Sequence, residues 1–272
     1  MIILIITAVL WSSGGLLIKL VSLNPMAIAG MRSFITSLFL LIILRKPRLT
    51  WSVPQLGGAV SLALTMICFV LANKMTTAAN AVLLQYTAPV FVALLGIWIL
   101  KETVKLFDWA IIMLVMAGMI CFFFDKLTLG GYYGNMVAIL SGISYAFLFI
   151  CMRQQKDEST LETILMGNVL TAFIGMLFIP SFSLSSFNVL IIVILGIFQL
   201  GLPYILYAIA IKRVSAIDAI LILTLEPILN PIWVFFVIGE TPGFWSIAGG
   251  LIVVVSITIR NIKYSLTPGQ SM

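Results

Sequence analysis

LTLEPILNPIW, residues 223–233, sets a carboxylate and a side-chain amide between two prolines. Glu226 and Asn230 stand near the centre of an apolar run from Ala216 to Ile238, where Asp218 is the one other ionisable residue. A membrane-spanning helix needs about 20 mostly apolar residues, and this run meets that length. It is one of ten, at 2–20, 26–44, 53–73, 78–100, 106–124, 134–152, 161–179, 188–210, 216–238 and 242–260. The 272 residues are 62% hydrophobic and only 9% charged, with a mean hydropathy of +1.22. A soluble domain carries about 25% charged residues. The expected fold is therefore an all-α polytopic membrane protein of ten transmembrane helices, with short connectors and no extramembrane domain.

Composition also excludes chemistry. The chain has no histidine, which removes Ser–His and Cys–His catalysis and His-ligated metal. Cys68, Cys121 and Cys151 lie singly in different runs without CxxC spacing and read as buried packing residues. No Walker-type phosphate loop is present to bring ATP drive. The first run has no basic segment ahead of it and no small-residue cleavage pattern after it, so it reads as a retained helix. No cofactor and no metal are expected.

The net charge of +6 is explained by where the basic residues fall, and needs no nucleic-acid partner. Short cytoplasmic loops of membrane proteins collect Lys and Arg. With the N-terminus inside, the inner connectors and tail hold Arg45, Lys46, Arg48, Lys101, Lys105, Arg153, Lys156, Lys212, Arg213, Arg260 and Lys263, against Lys74 and Lys126 outside. Both termini are expected in the cytoplasm, in a plasma (inner) membrane. Trp51, Trp98, Trp109 and Trp245 fall at expected helix ends, where amphipathic rings favour the interface; Trp11 and Trp233 do not.

The chain repeats itself. KMTTAANAVLLQYTAPV (74–90) and KRVSAIDAILILTLEPI (212–228) align without gaps, matching Lys74 with Lys212, Ala78 with Ala216, Ala81 with Ala219, Leu83 with Leu221 and Pro89 with Pro227. The register runs on to match Glu102–Thr103 with Glu240–Thr241. Upstream, at an offset of 134 residues where the first alignment has 138, Trp11 falls against Tyr145 and Lys19 against Arg153. Residues 1–125 and 126–263 thus read as two five-helix copies, followed by a tail at 264–272. With five spans each, the second copy enters the bilayer from the opposite side. Inverted repeats with a site near the midplane are the usual build of secondary transporters.

On these residues the chain resembles the drug/metabolite transporter superfamily, EamA type. The resemblance rests on Trp11 in the first helix, Arg32 in the second, Pro89 followed by Glu102 after the fourth, and the Glu226–Pro227 pair answered by Glu240. It implies a basket of helices around a central cavity, with the fifth and tenth set to one side, and transport of small metabolites, amino acids and nucleobases among them. The second copy departs from the first at Asn168, near the place of Arg32, so the role of Arg32 is not repeated.

Glu226, Asn230 and Trp233 are spaced i, i+4, i+7 and share one helical face. Pro227 and Pro231 remove two backbone donors and leave carbonyls of Leu223 and Pro227 unpaired. The acid is therefore the candidate for proton or cation coupling; the bland alternative is a neutral or paired acid that only joins helices. Gln85 stands four before Pro89 and Gln199 four before Pro203, with Tyr86 and Tyr204 beside these breaks. Ser141, Ser144, Tyr145 and Leu148 form a stripe in the sixth run, and Trp11 lies at mid-depth beside Ser12, Ser13, Gly14 and Gly15. The candidate substrate-binding set is Trp11, Gln85, Tyr86, Tyr145, Gln199, Tyr204, Asn230 and Trp233. An aromatic cavity with few polar groups suits a small organic ligand, and rings around a carboxylate suit an organic cation. Arg32, about 10 Å into its helix at 1.5 Å per residue, is a candidate anion or pairing site. Lys19 reads as a snorkelling residue, Asp218 as interfacial beside Lys212 and Arg213, and Glu102 and Glu240 as structural helix-end residues.

These readings give a secondary transporter, an exporter of small polar metabolites such as amino acids, working by alternating access in the lipid bilayer with protons as the candidate coupling ion. A carrier of amines or quaternary ammonium compounds is the alternative. An intramembrane enzyme lacks the residues for chemistry, and a passive scaffold does not account for a mid-membrane carboxylate.

Overall fold

A computed structural model describes the chain except for residues 125–126, 128–129, 158–159, 179–184, 239–242 and 267–272, and the side chains at 15, 19, 73, 78, 230, 231, 234, 235, 238, 265 and 266. The candidates Asn230 (side chain), Lys19 (side chain), Lys126 and Glu240–Thr241 therefore lie outside the described residues. Among the described residues all regular structure is helical: α1 (Ile2–Ser12), α2 (Gly14–Lys19), α3 (Pro25–Leu44), α4 (Val53–Met75), α5 (Ala78–Gln85), α6 (Ala88–Ile99), α7 (Leu106–Phe123), α8 (Tyr132–Gln154), α9 (Thr160–Met176), α10 (Ser186–Ile194), a π-helical turn (Leu195–Gly201), α11 (Leu202–Ala210), α12 (Ala216–Leu223), α13 (Leu225–Ile238) and α14 (Phe244–Leu266). Among the described residues, seven helical segments are long and apolar enough to cross a membrane.

Short polar residues start the helices. Asn24, Ser52, Thr77, Ser185 and Ser215 each accept a hydrogen bond from a backbone N–H of the first turn, the N-cap role for which these residues are suited. Pro25 and Pro54 sit in first turns, where a missing N–H costs nothing. Large apolar side chains face outward, among them Ile42, Val53, Trp98 and Phe236, as a lipid-facing surface requires.

Prolines account for the internal breaks. Pro89 cannot donate to Gln85, and the helix stops at Gln85 and restarts at Ala88. Pro227 cannot donate to Leu223, and the break falls at Thr224. Of the two carbonyls expected to be freed, that of Leu223 stands at a break, whereas α13 runs on through Pro231. Pro203 cannot donate to Gln199; there the chain widens into the π turn, whose end cap is the Leu202 N–H bonded to Ile197 O. Such turns are frequent at functional positions. The last helix also runs on to Leu266, past the end expected at 260, which places Arg260 inside it.

The two aligned stretches share local structure. Thr77 caps Asn80 and Ser215 caps Asp218, α5 and α12 have eight residues each, and each stops at the aligned position before its proline. The long helices pair as α4 with α8, α7 with α14, α3 with α9, α4 with α9, and α3 with the π turn, while α1 packs on α11, α12 and α13. Glycines permit the closest approaches. Between α3 and α9, a Cβ on Gly175 would stand 2.5 Å from Gly30 Cα; between α7 and α14, one on Gly249 would stand 2.2 Å from Phe122 N.

Candidate substrate site

The breaks at Ser13, Tyr86–Thr87 and Thr224 and the π turn belong to elements that surround one interior region. Glu226 opens α13 immediately after the break and accepts a hydrogen bond from Tyr86 Oη at 2.7 Å. Both partners occupy break positions in different halves of the chain, so two interrupted helices are tied through their side chains. Glu226 is half-buried, whereas Tyr86 is buried.

From Tyr86 an arc of aromatic rings crosses the interior. Tyr86 meets Tyr145 edge-on at 6.3 Å, Tyr145 meets Phe149 at 4.9 Å, and Phe149 meets Tyr207 at 5.2 Å. Tyr207 stands 6.1 Å from Trp11, which meets Tyr204 edge-on at 5.2 Å. These separations lie in the range where ring quadrupoles favour tilted and edge-to-face contact.

The other end of the arc is basic. Arg32 Nη1 donates to Gln199 Oε1 at 3.4 Å, and Gln199 Nε2 donates to Trp11 O at 3.3 Å, at the foot of the α1–α2 break. The π turn presses Gln199 against that break; a Cβ on Gly14 would stand 2.7 Å from Gln199 Nε2. Arg32 interacts electrostatically with both Tyr204 and Glu226. Arg32 and Glu226 do not close to within 4.0 Å as an ion pair, as Arg153–Glu102, Arg260–Asp108 and Arg260–Asp218 do. A cation and an anion thus share one interior site without closing on each other.

Three donors here have no protein acceptor. Arg32 Nε, Trp11 Nε1 and Tyr207 Oη are buried without a hydrogen-bond partner, a costly state for a polar group. Trp233 does have one, donating to Ser12 Oγ at 2.7 Å.

The structure therefore brings together Trp11, Arg32, Tyr86, Tyr145, Gln199, Tyr204 and Glu226, and sets Trp233 against α1. Gln85 turns elsewhere. Its Nε2 donates to Ser141 Oγ at 3.0 Å, and Ser141 donates to Thr65 O at 2.9 Å; the residue fastens α5 to α8 and α4. Asp218, read as interfacial, pairs with Arg260 while it also caps α12. Sequence reasoning misses Phe149, Tyr207 and Ser12. The first two extend the marked stripes by one turn, four residues after Tyr145 and three after Tyr204, and that spacing is the available signal. Ser12 stands in the sequence only as a neighbour of Trp11, and the position of Trp233 gives it a role. The three cysteines are free.

The EamA-like transporter family matches residues 1–124 and 132–262. Among curated proteins, the chain is 26% identical to an uncharacterised transporter of Archaeoglobus fulgidus over 96% of each chain. It is 28% identical to the uncharacterised transporter YdfC of Bacillus subtilis, covering 93% of this chain and 88% of that one. One chain of known crystal structure superposes with a TM-score of 0.83 at 18% identity over 98% of both chains, which supports the fold alone.

Proposed function

The chain belongs to the EamA-like transporter family, and from that premise we propose that it is a secondary transporter of small zwitterionic metabolites such as amino acids. One observation carries the substrate class: the three unpartnered donors Arg32 Nε, Trp11 Nε1 and Tyr207 Oη on the arginine side of the aromatic arc. Donors left without acceptors suit an acceptor-rich group, and a carboxylate beside an arginine is the best such group. At the far end, the Glu226 carboxylate and the faces of Tyr86 and Tyr145 suit an ammonium. A ligand with both charges fits both ends; a simple amine would leave the arginine side unanswered.

The proposed motion is alternating access between two inverted five-helix repeats. The aligned helix breaks support it, and so does the helix pairing. Exchanging the two halves turns the α4–α8 pair into α11–α1, and α4–α9 into α3 with the π turn, and each is a packed pair. Two copies of one unit can exchange conformations and so face either side in turn. We assign the face bearing Arg45, Lys101, Arg153 and Lys212 to the cytoplasm, in a plasma membrane, from the bias of basic residues. Export is the proposed direction, with proton exchange at Glu226 as its drive.

The test is a thermal-shift screen of the purified protein against amino acids, nucleobases and amines, since a ligand that binds only the folded state stabilises it by RT ln(1 + [L]/Kd). Stabilisation by amino acids, lost when either the amino or the carboxyl group is blocked, supports the reading. Stabilisation by amines alone overturns it in favour of an amine carrier. For the orientation, a cysteine at position 46 labelled by an impermeant reagent from outside intact cells would reverse the assignment.

A further inference from the structure

On the basic face, the ends of several helices meet at Glu102. Its Oε1 accepts from Arg153 Nε at 3.0 Å and its Oε2 accepts from the backbone N–H of Ala216 at 3.3 Å. Arg153 Nη1 reaches on to the carbonyl of Ile211 at 3.1 Å. One acid thus joins the chain leaving α6 to the end of α8 and the first residue of α12, and Arg153 adds the chain leaving α11. Lys101, the residue before, has a φ of 56°, a left-handed conformation that a side-chain-bearing residue rarely adopts; it turns the chain at the end of α6 immediately before Glu102.

The pair stands in the wall of a cavity of about 400 Å³ that opens on this face, with Lys105, Lys156, Asp218 and Arg260 among its lining. Above the pair the interior is apolar and closed. Met152, Phe149 and Leu148 on α8, and Ile217, Ile220 and Leu221 on α12, are buried in one cluster. Arg153 and Tyr145 are separated by about two helical turns, roughly 12 Å at 1.5 Å per residue. The cavity therefore ends beneath the aromatic arc, and α8 and α12 make the wall between them.

Two ion clusters on this face differ in kind. Arg260 is fixed between Asp108 and Asp218 with side chains 6%, 4% and 18% exposed, and Tyr264 Oη donates to Asp108 as well. The Glu102 and Arg153 side chains are 21% and 20% exposed, close to the 18% of Asp218, but they form a single charge pair, whereas Arg260 and Tyr264 join two carboxylates. Glu102 also sits on the N-terminus of α12, the half-helix that ends at the Thr224 break beside Glu226. Breaking the pair parts α12 from α8 on the basic face, while Asp218 keeps α12 on Arg260 of α14, so α12 and α14 can move away from α8 together about that break.

We infer that Glu102 and Arg153 form the latch that closes the basic face of the transporter, and that separating them opens the 400 Å³ cavity to the aromatic site. This rests on the alternating-access reading above, but not on the substrate named there. The test uses a chain in which Cys68, Cys121 and Cys151 are replaced by alanine and a single reporter thiol is introduced by Ser144→Cys, at a position buried beside Tyr145. Labelling of that thiol by an impermeant cationic thiosulfonate is timed from each face in oriented vesicles, with no substrate added. Glu102→Gln and Arg153→Gln are each expected to raise the rate from the basic face about tenfold, as a minor open state becomes a major one. The exchange Glu102→Arg with Arg153→Glu should restore the slow rate. An unchanged rate in both single variants, or an equal rise from both faces, overturns the latch. If those variants fold poorly, Glu102→Asp replaces them: it keeps the charge but shortens its reach to Arg153 Nε, and it should raise the labelling rate from the basic face alone. A Glu102→Asp rate equal to the parent's overturns the proposal. Failure here leaves the thermal-shift screen untouched, and failure of that screen leaves the latch measurement readable.

Discussion

Tyr86 and Glu226, 140 residues apart in the chain, meet in a hydrogen bond of 2.7 Å. Each lies at the proline-associated break of its own helix, so removing the phenol oxygen tests whether the two breaks cooperate in holding ligand. A hydrogen bond to a charged group contributes about 1.5–3 kcal/mol. Tyr86→Phe keeps the ring and its edge contact with Tyr145, and it leaves Glu226 to reorient. We expect the protein to fold and its affinity for a stabilising amino acid to fall about tenfold or more, about 1.4 kcal/mol per decade. Unchanged affinity in a thermal-shift titration would remove Glu226 from the ligand's environment.

Much of this arrangement is legible in the sequence, for reasons that differ from residue to residue. The apolar runs are readable because hydrocarbon thickness fixes their length. The breaks are readable because proline lacks an N–H, although the break before Pro227 falls at Thr224, upstream of the segment between the prolines. Gln85 and Gln199 carry the same spacing to a proline, yet Gln199 joins the site and Gln85 fastens helices. Spacing fixes a residue's height in the bilayer, and the azimuth of its side chain depends on neighbours distant in sequence. The Asp218–Arg260 contact is illegible for the same reason. Its partners lie at the ends of different helices, and Arg260 reads as a tail residue although α14 extends past it to Leu266.

The contact of α3 with α9 leaves no room for a side chain. A methyl on Gly175 would stand 2.5 Å from Gly30 Cα and 2.6 Å from Gly30 N, so backbones must part. Overpacking of this kind costs about 1–3 kcal/mol. Gly175→Ala should lower the melting temperature measurably. Gly96→Ala is the control: nothing lies within 4 Å of its added carbon, and a helical glycine replaced by alanine gains about 1 kcal/mol of helix propensity. The same melting shift in both variants would refute the packing argument.

Arg260 answers two carboxylates at once, with Asp108 at 2.9 Å and Asp218 also in contact. Removing one partner of a buried pair costs about 3–5 kcal/mol, because the remaining charge is left desolvated. Arg260→Gln should therefore be among the most destabilising polar substitutions in the chain. Neutralising the whole cluster, with Asp108→Asn and Asp218→Asn added, should recover most of the loss. A triple variant no more stable than Arg260→Gln would show that the arginine acts through packing instead of charge.

Glu226 is the proposed site of proton coupling. A carboxyl that exchanges protons must be stable in two states. Burial disfavours its charge, whereas a hydrogen bond and a nearby cation favour it. Glu226 has all three influences, being half-buried, bonded to Tyr86 and within the field of Arg32. Glu226→Gln keeps the side chain's size and an oxygen able to accept from Tyr86, and removes titration together with the negative charge. The variant is expected to insert and fold as the parent does. Reconstituted in vesicles with the amino acid found by thermal shift, it should lose accumulation driven by a pH gradient and retain exchange down a substrate gradient. That split separates coupling from binding, because a residue that served only to contact substrate would lose both activities together. Wild-type, pH-dependent uphill transport by Glu226→Gln would exclude the carboxyl from coupling and from binding the ammonium alike.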